Sequence, residues 1–122
     1  MNDVAGSLPL LPEAGRSDFL RTSVYSGRRG SAGRTFVSVD GRPLPTRFEF
    51  RRESPTAFDW GYEGRGGPAQ LALAILADYL GDDEKARRHY QHFLRRVIRW
   101  LPNDTWILTG PEIDAVLPSA GL

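Results

Sequence analysis

The chain has no cysteine, so disulfides and thiolate-held metals are excluded. Lysine is nearly missing too: Lys85 stands alone beside fifteen arginines. Arginine at that level also follows from codon bias in a GC-rich genome, so composition alone is no sign of phosphate binding. Histidine is limited to His89 and His92. They lie three apart, whereas metal-binding pairs on a helix face usually lie four apart, as in His-Glu-x-x-His. No metal site is expected. No apolar run approaches the roughly 20 residues that span a bilayer. A basic segment followed by an apolar one is missing at the N-terminus, so no secretory leader is expected. These absences point to a cytoplasmic protein with no membrane partner.

Several chemistries lack their signatures. There is no Gly-x-Ser-x-Gly, and neither histidine has an obvious serine partner. No Gly-Lys-Ser/Thr ends the glycine-rich loop, and its spacing is not the dinucleotide fingerprint. No cofactor is expected and no catalytic residue is assigned; an enzyme is the less favoured class.

What is present is 122 residues with ordinary globular composition, 40% hydrophobic and 25% charged. That length suits one domain. Residues 1–20 show no period and read as a flexible N-terminal tail; residues 21–122 form the domain. The formal net charge of +1 hides two basic blocks. Residues 21–52 hold eight arginines against Asp40 and Glu49. Residues 82–100 hold Lys85 and five arginines against Asp82, Asp83 and Glu84. Such blocks matter more than the total for an anionic partner.

Tyr25 to Gly33 reads as a loop rich in glycine and arginine. Thr35–Val39 reads as a strand, with Phe36 and Ser38 on one side and Val37 and Val39 on the other. Asp40-Gly41 is a hairpin turn signal. A return strand is expected over Thr46–Arg51 and a third over Phe58–Tyr62. Pro68 opens an apolar helix that ends before Gly81. Asp82 caps a second helix running to about Trp100. On it Ala86, Tyr90, Phe93, Leu94, Val97, Trp100 and Leu101 form an apolar stripe. Thr105–Thr109 is a last strand, and Gly110–Leu117 a last helical turn or two. The expected class is α+β: a small antiparallel sheet packed by a two-helix hairpin, in the order β-β-β-α-α-β-short α.

Two features carry function. The first is the loop Gly64-Arg65-Gly66-Gly67 ahead of the Pro68 helix. Orphan N–H groups and the helix dipole make such an end an anion site, and Arg65 adds a bidentate fork. The competing role is a tight strand-to-helix turn. Trp60 and Tyr62 beside it could stack on bases or anchor a partner, or roof the core. Asp59 and Glu63 are acids at the loop mouth, the only basis for an enzyme reading. The second is the stripe Arg88, His92, Arg95, Arg96 and Arg99, opposite the apolar face of the second helix. It matches a phosphate footprint, unless it is a solvated face neutralised by pairs such as Glu84 with Arg88.

The run from Ser54-Pro55 through Phe58-Asp59-Trp60-Gly61-Tyr62 to Gly66-Gly67-Pro68-Ala69-Gln70 resembles an uncharacterised bacterial, plasmid and phage family, domain of unknown function 6166. Tyr25, Gly27, Arg29 and Val39-Asp40-Gly41 fit it as well, over about residues 25–117. Gly66-Gly67 is one residue longer than the family loop, and Glu53 stands where the family shows a histidine. The resemblance implies a shared fold and a mobile-element setting, and no activity. The expected function is a small binding module for an anionic partner, nucleic acid or an acidic protein surface. The alternative is a protein–protein adaptor or inhibitor using the Trp60–Pro68 loop.

Overall fold

The computed structural model of the chain describes residues 22–47, 58–61 and 66–117. Expectations for the tail, for Phe48–Arg51 and for Tyr62, Glu63, Gly64 and Arg65 lie outside those residues.

The fold is α+β. Among the described residues four antiparallel strands, β1 (Val24–Arg29), β2 (Thr35–Val39), β3 (Arg42–Pro43) and β4 (Thr105–Thr109), lie in the order β3-β2-β1-β4. The described α-helices are α1 (Gly67–Leu80), α2 (Asp83–Arg96) and α3 (Gly110–Val116).

The strand at the centre of the sheet is the segment that the sequence presents as a loop. β1 pairs Tyr25 with Val39 and Gly27 with Val37 on one side, and Tyr25 with Leu108 and Gly27 with Trp106 on the other. Tyr25, Gly27, Val37, Val39, Trp106 and Leu108 are all buried and form the inner face. The alternation is masked because glycine takes an inward position. A Cβ on Gly27 would lie 2.4 Å from the Trp106 ring, so only glycine lets the indole cross β1.

The Asp40-Gly41 turn forms with both residues at positive φ, 50° and 86°. The chain returns at once as the two-residue β3, rather than at Thr46. Arg47 has φ 62°, a left-handed conformation that no strand passes through. Its guanidinium pairs with Asp83 at the start of α2. Phe58, Asp59 and Trp60 also lie outside the sheet.

α1 is buried from Gly67 through Ala77, as its nearly continuous apolar sequence requires. Its one buried polar side chain, Gln70, donates to the Thr46 carbonyl at 2.7 Å. Gly81 ends it at φ 65°, with its N–H on the Ala77 carbonyl at 3.0 Å. Asp82 then caps α2, accepting from the Glu84 and Lys85 amides at 2.9 and 3.1 Å.

α2 is shorter than the sequence pattern predicts. Val97 leaves helical geometry (φ −127°, ψ −59°) and a 3-10 turn follows over Ile98–Trp100. The apolar stripe is therefore corrected at its end: Ile98 is fully buried and Trp100 is 70% exposed. Tyr79 of α1 ties down α3, donating to Asp114 Oδ1 at 2.9 Å. Among the described residues no helix is long and apolar enough to cross a membrane.

Candidate anion-binding surfaces

The junction ahead of α1 is a structural knot. Asp59 Oδ1 accepts from Arg29 Nη2 at 3.0 Å and from the Trp60 amide at 2.8 Å. Arg29 also donates through Nε to the Asn103 carbonyl at 3.2 Å, and its guanidinium lies 4.7 Å from the Trp60 ring centroid. Trp60 Nε1 donates to the same carbonyl at 3.0 Å, and its ring meets Trp106 edge-on at 5.5 Å. β1, the segment before α1 and the loop before β4 are joined in this way.

Gly67 is required by that knot. A Cβ there would sit 2.5 Å from Asp59 Cβ, so the glycine admits the Asp59 backbone to the start of α1. Gly66 already has helical geometry, and its carbonyl accepts from the Gln70 amide at 2.9 Å. Of the predicted anion loop, Gly66 and Gly67 are thus placed, while Gly64 and Arg65 lie outside the described residues. Trp60 is 3% exposed: its ring and its N–H serve the core, and it presents no surface for a base or partner. The Asp59 carboxylate is held by Arg29 rather than left free at a loop mouth.

A groove of about 370 Å3 is lined by Pro45, Arg47, Asp78, Asp82 and Asp83 among others. Each of its acids has a structural task. Asp83 pairs with Arg47, Asp82 caps α2, and Asp78 accepts from the Tyr25 hydroxyl at 2.6 Å. Burial, then the hydrogen bond and charge of Asp78, push the Tyr25 hydroxyl well above the usual tyrosine range.

The face of α2 is different. Glu84 pairs with Arg87 at 2.9 Å, not with Arg88. Arg88, Arg95 and Arg96 are exposed and form no ion pair among the described residues. His92 and Arg99, predicted in the same stripe, are set apart. His92 is half-buried, with Nε2 donating to the Val116 carbonyl at 3.0 Å, and Arg99 is half-buried and engaged. The exposed Trp100 lies beside the end of α2, its Nε1 donating to the Arg95 carbonyl at 3.1 Å. The sequence pattern places Trp100 in the core; the unwinding at Val97 brings it to the surface.

A family model matches residues 25–119, and its description is a family of unknown function, DUF6166. The chain belongs to that family. The match covers every strand and nearly all of the described domain, from the second residue of β1 through α3. The aromatic and glycine run on which the resemblance rests coincides here with the Arg29–Asp59–Trp60 knot and the Gly67 approach. No curated protein and no solved structure matches the chain.

Proposed function

We propose that this DUF6166 protein binds an anionic partner, nucleic acid foremost, through the arginine face of α2. The observation that carries the reading is that Glu84 pairs with Arg87, and that Arg88, Arg95 and Arg96 are exposed with no ion pair among the described residues. Free guanidiniums on one helix suit phosphates, which they grip bidentately, and counterion release would drive the association. Arg88 and Arg95 are seven residues apart and so share a side of the helix. A carrier gene on a plasmid or phage, implied by the resemblance, is compatible with such a module. Trp60 is buried, so its ring is not the exposed anchor that the adaptor alternative would use.

The test is binding to labelled DNA and RNA, single- and double-stranded, over a range of salt. Three phosphate contacts would give a log–log salt slope of roughly −2 to −3. Arg88→Glu with Arg95→Glu should abolish binding while leaving the circular dichroism spectrum unchanged, since neither side chain packs in the core. Binding that ignores both salt and this charge reversal would sink the reading.

A further inference from the structure

The outer face of the sheet is bare among the described residues. Helices cover the side of Tyr25, Val37 and Leu108; the opposite positions are Ser26 and Arg28 on β1, Phe36 and Ser38 on β2, and Thr105 and Ile107 on β4. The register sets them in two rows. Arg28 stands between Phe36 and Thr105, and Ser26 between Ser38 and Ile107. Phe36 is 41% exposed and Ile107 69% exposed.

We infer that this face is a stacking surface for single-stranded nucleic acid. The inference rests on the anionic-partner reading above and adds where bases are held. Charge complementarity is the first ground. The Arg28 guanidinium lies 4.2 Å from the Phe36 ring centroid and that of Arg34 lies 6.0 Å from it. Neither arginine has an ion pair among the described residues, and none of the six outward positions carries an acid. Shape is the second. The depression between Phe36 and Ile107 holds about 250 Å3. Pockets that enclose a whole small molecule run to roughly 300–1,000 Å3, so this one suits a single unit of a longer chain. Chemistry is the third. An aromatic ring and a guanidinium plane both stack on bases, and the Ser26, Ser38 and Thr105 hydroxyls can meet base edges. Stacking of this kind selects a single strand, because a duplex keeps its base faces covered by neighbouring pairs.

The test uses the full chain and fluorescence anisotropy with a labelled oligodeoxythymidine and with a duplex. Phe36→Ser should weaken single-strand binding about tenfold, the loss of one stacked base, and leave duplex binding unchanged. Arg28→Ala should act in the same direction, and Phe36→Tyr should retain affinity. Ile107→Ser provides a second probe at a side chain too exposed to endanger folding. Wild-type affinity for the single strand in Phe36→Ser, Arg28→Ala and Ile107→Ser overturns the inference. So does wild-type binding of duplex alone, abolished by Arg88→Glu with Arg95→Glu; that outcome leaves the α2 reading standing. Binding of neither probe overturns both. A dimer in sedimentation that Ile107→Asp dissociates, with no oligonucleotide bound, would give the face to a second copy and likewise overturn the inference.

Discussion

A methyl group at position 27 would lie 2.4 Å from the Trp106 indole. The indole cannot retreat, because it is 4% exposed and its ring is already packed edge-on against Trp60. Gly27→Ala should therefore cost about 1–3 kcal/mol, the range for overpacked cores, measured by urea denaturation. The same overlap explains why β1 is hard to see in the sequence. Tyr25-Ser26-Gly27-Arg28-Arg29 alternates correctly, but the inward glycine reads as a loop residue until its partner tryptophan is placed. Tyr25 gives a second residue-scale prediction. Its folded-state pKa is raised, first by burial and then by Asp78 and Asp40, above an unfolded value near 10. Such a shift contributes stability that is fully present below about pH 10 and is lost as pH rises beyond it. The urea midpoint of the wild type should fall above pH 10 more steeply than that of Tyr25→Phe. Equal slopes would show that Tyr25 ionises as freely in the folded protein as in the unfolded one.

The helices were the legible elements, because their ends carry local chemistry. Pro68, Gly81 and Asp82 mark boundaries that hold whatever the rest of the fold does. Asp82→Ala removes two hydrogen bonds to backbone amides and should cost about 1 kcal/mol, seen as a lower melting temperature. Asp82→Asn, which can still cap, should recover most of it. The end of α2 was not legible. Nothing local marks Val97, and a continued helical period carries Trp100 inward; in the structure Ile98 fills the core and ends that period. Thr35–Val39 and Thr105–Thr109 form strands as the sequence pattern predicts, but the return strand does not, for a related reason. β3 is two residues long, and Arg47 is drawn into a left-handed conformation where its guanidinium meets Asp83, far along the chain. A contact of that range leaves no periodic trace.

At the scale of the whole molecule, the described arginines of the first basic block divide between the sheet and the start of α2, where Arg47 meets Asp83. Arg28 stands on the bare side of the sheet, while Arg88, Arg95 and Arg96 belong to the helices that cover its other side. Charge patterning located both sets; only the pairing of Arg29 with Asp59 and of Arg47 with Asp83 shows which members of the first block are spent on the fold. If both surfaces bind, Arg88→Glu with Arg95→Glu should remove binding of single strand and duplex alike in the assay above, whereas Arg28→Ala should weaken the single strand alone.

The pairing of β1 with β4 has one more consequence. Val24 lies opposite Thr109, and the Gly110 amide donates to the Ser23 carbonyl at 3.1 Å. The central strand is thus nearly the first piece of the domain to be synthesised and the last to be completed. Until Thr109 has left the ribosome, one edge of β1 has no neighbour and the Trp106 ring is not there to lie over Gly27. The nascent chain can assemble its helical hairpin early, yet it must carry an open strand edge through most of its translation.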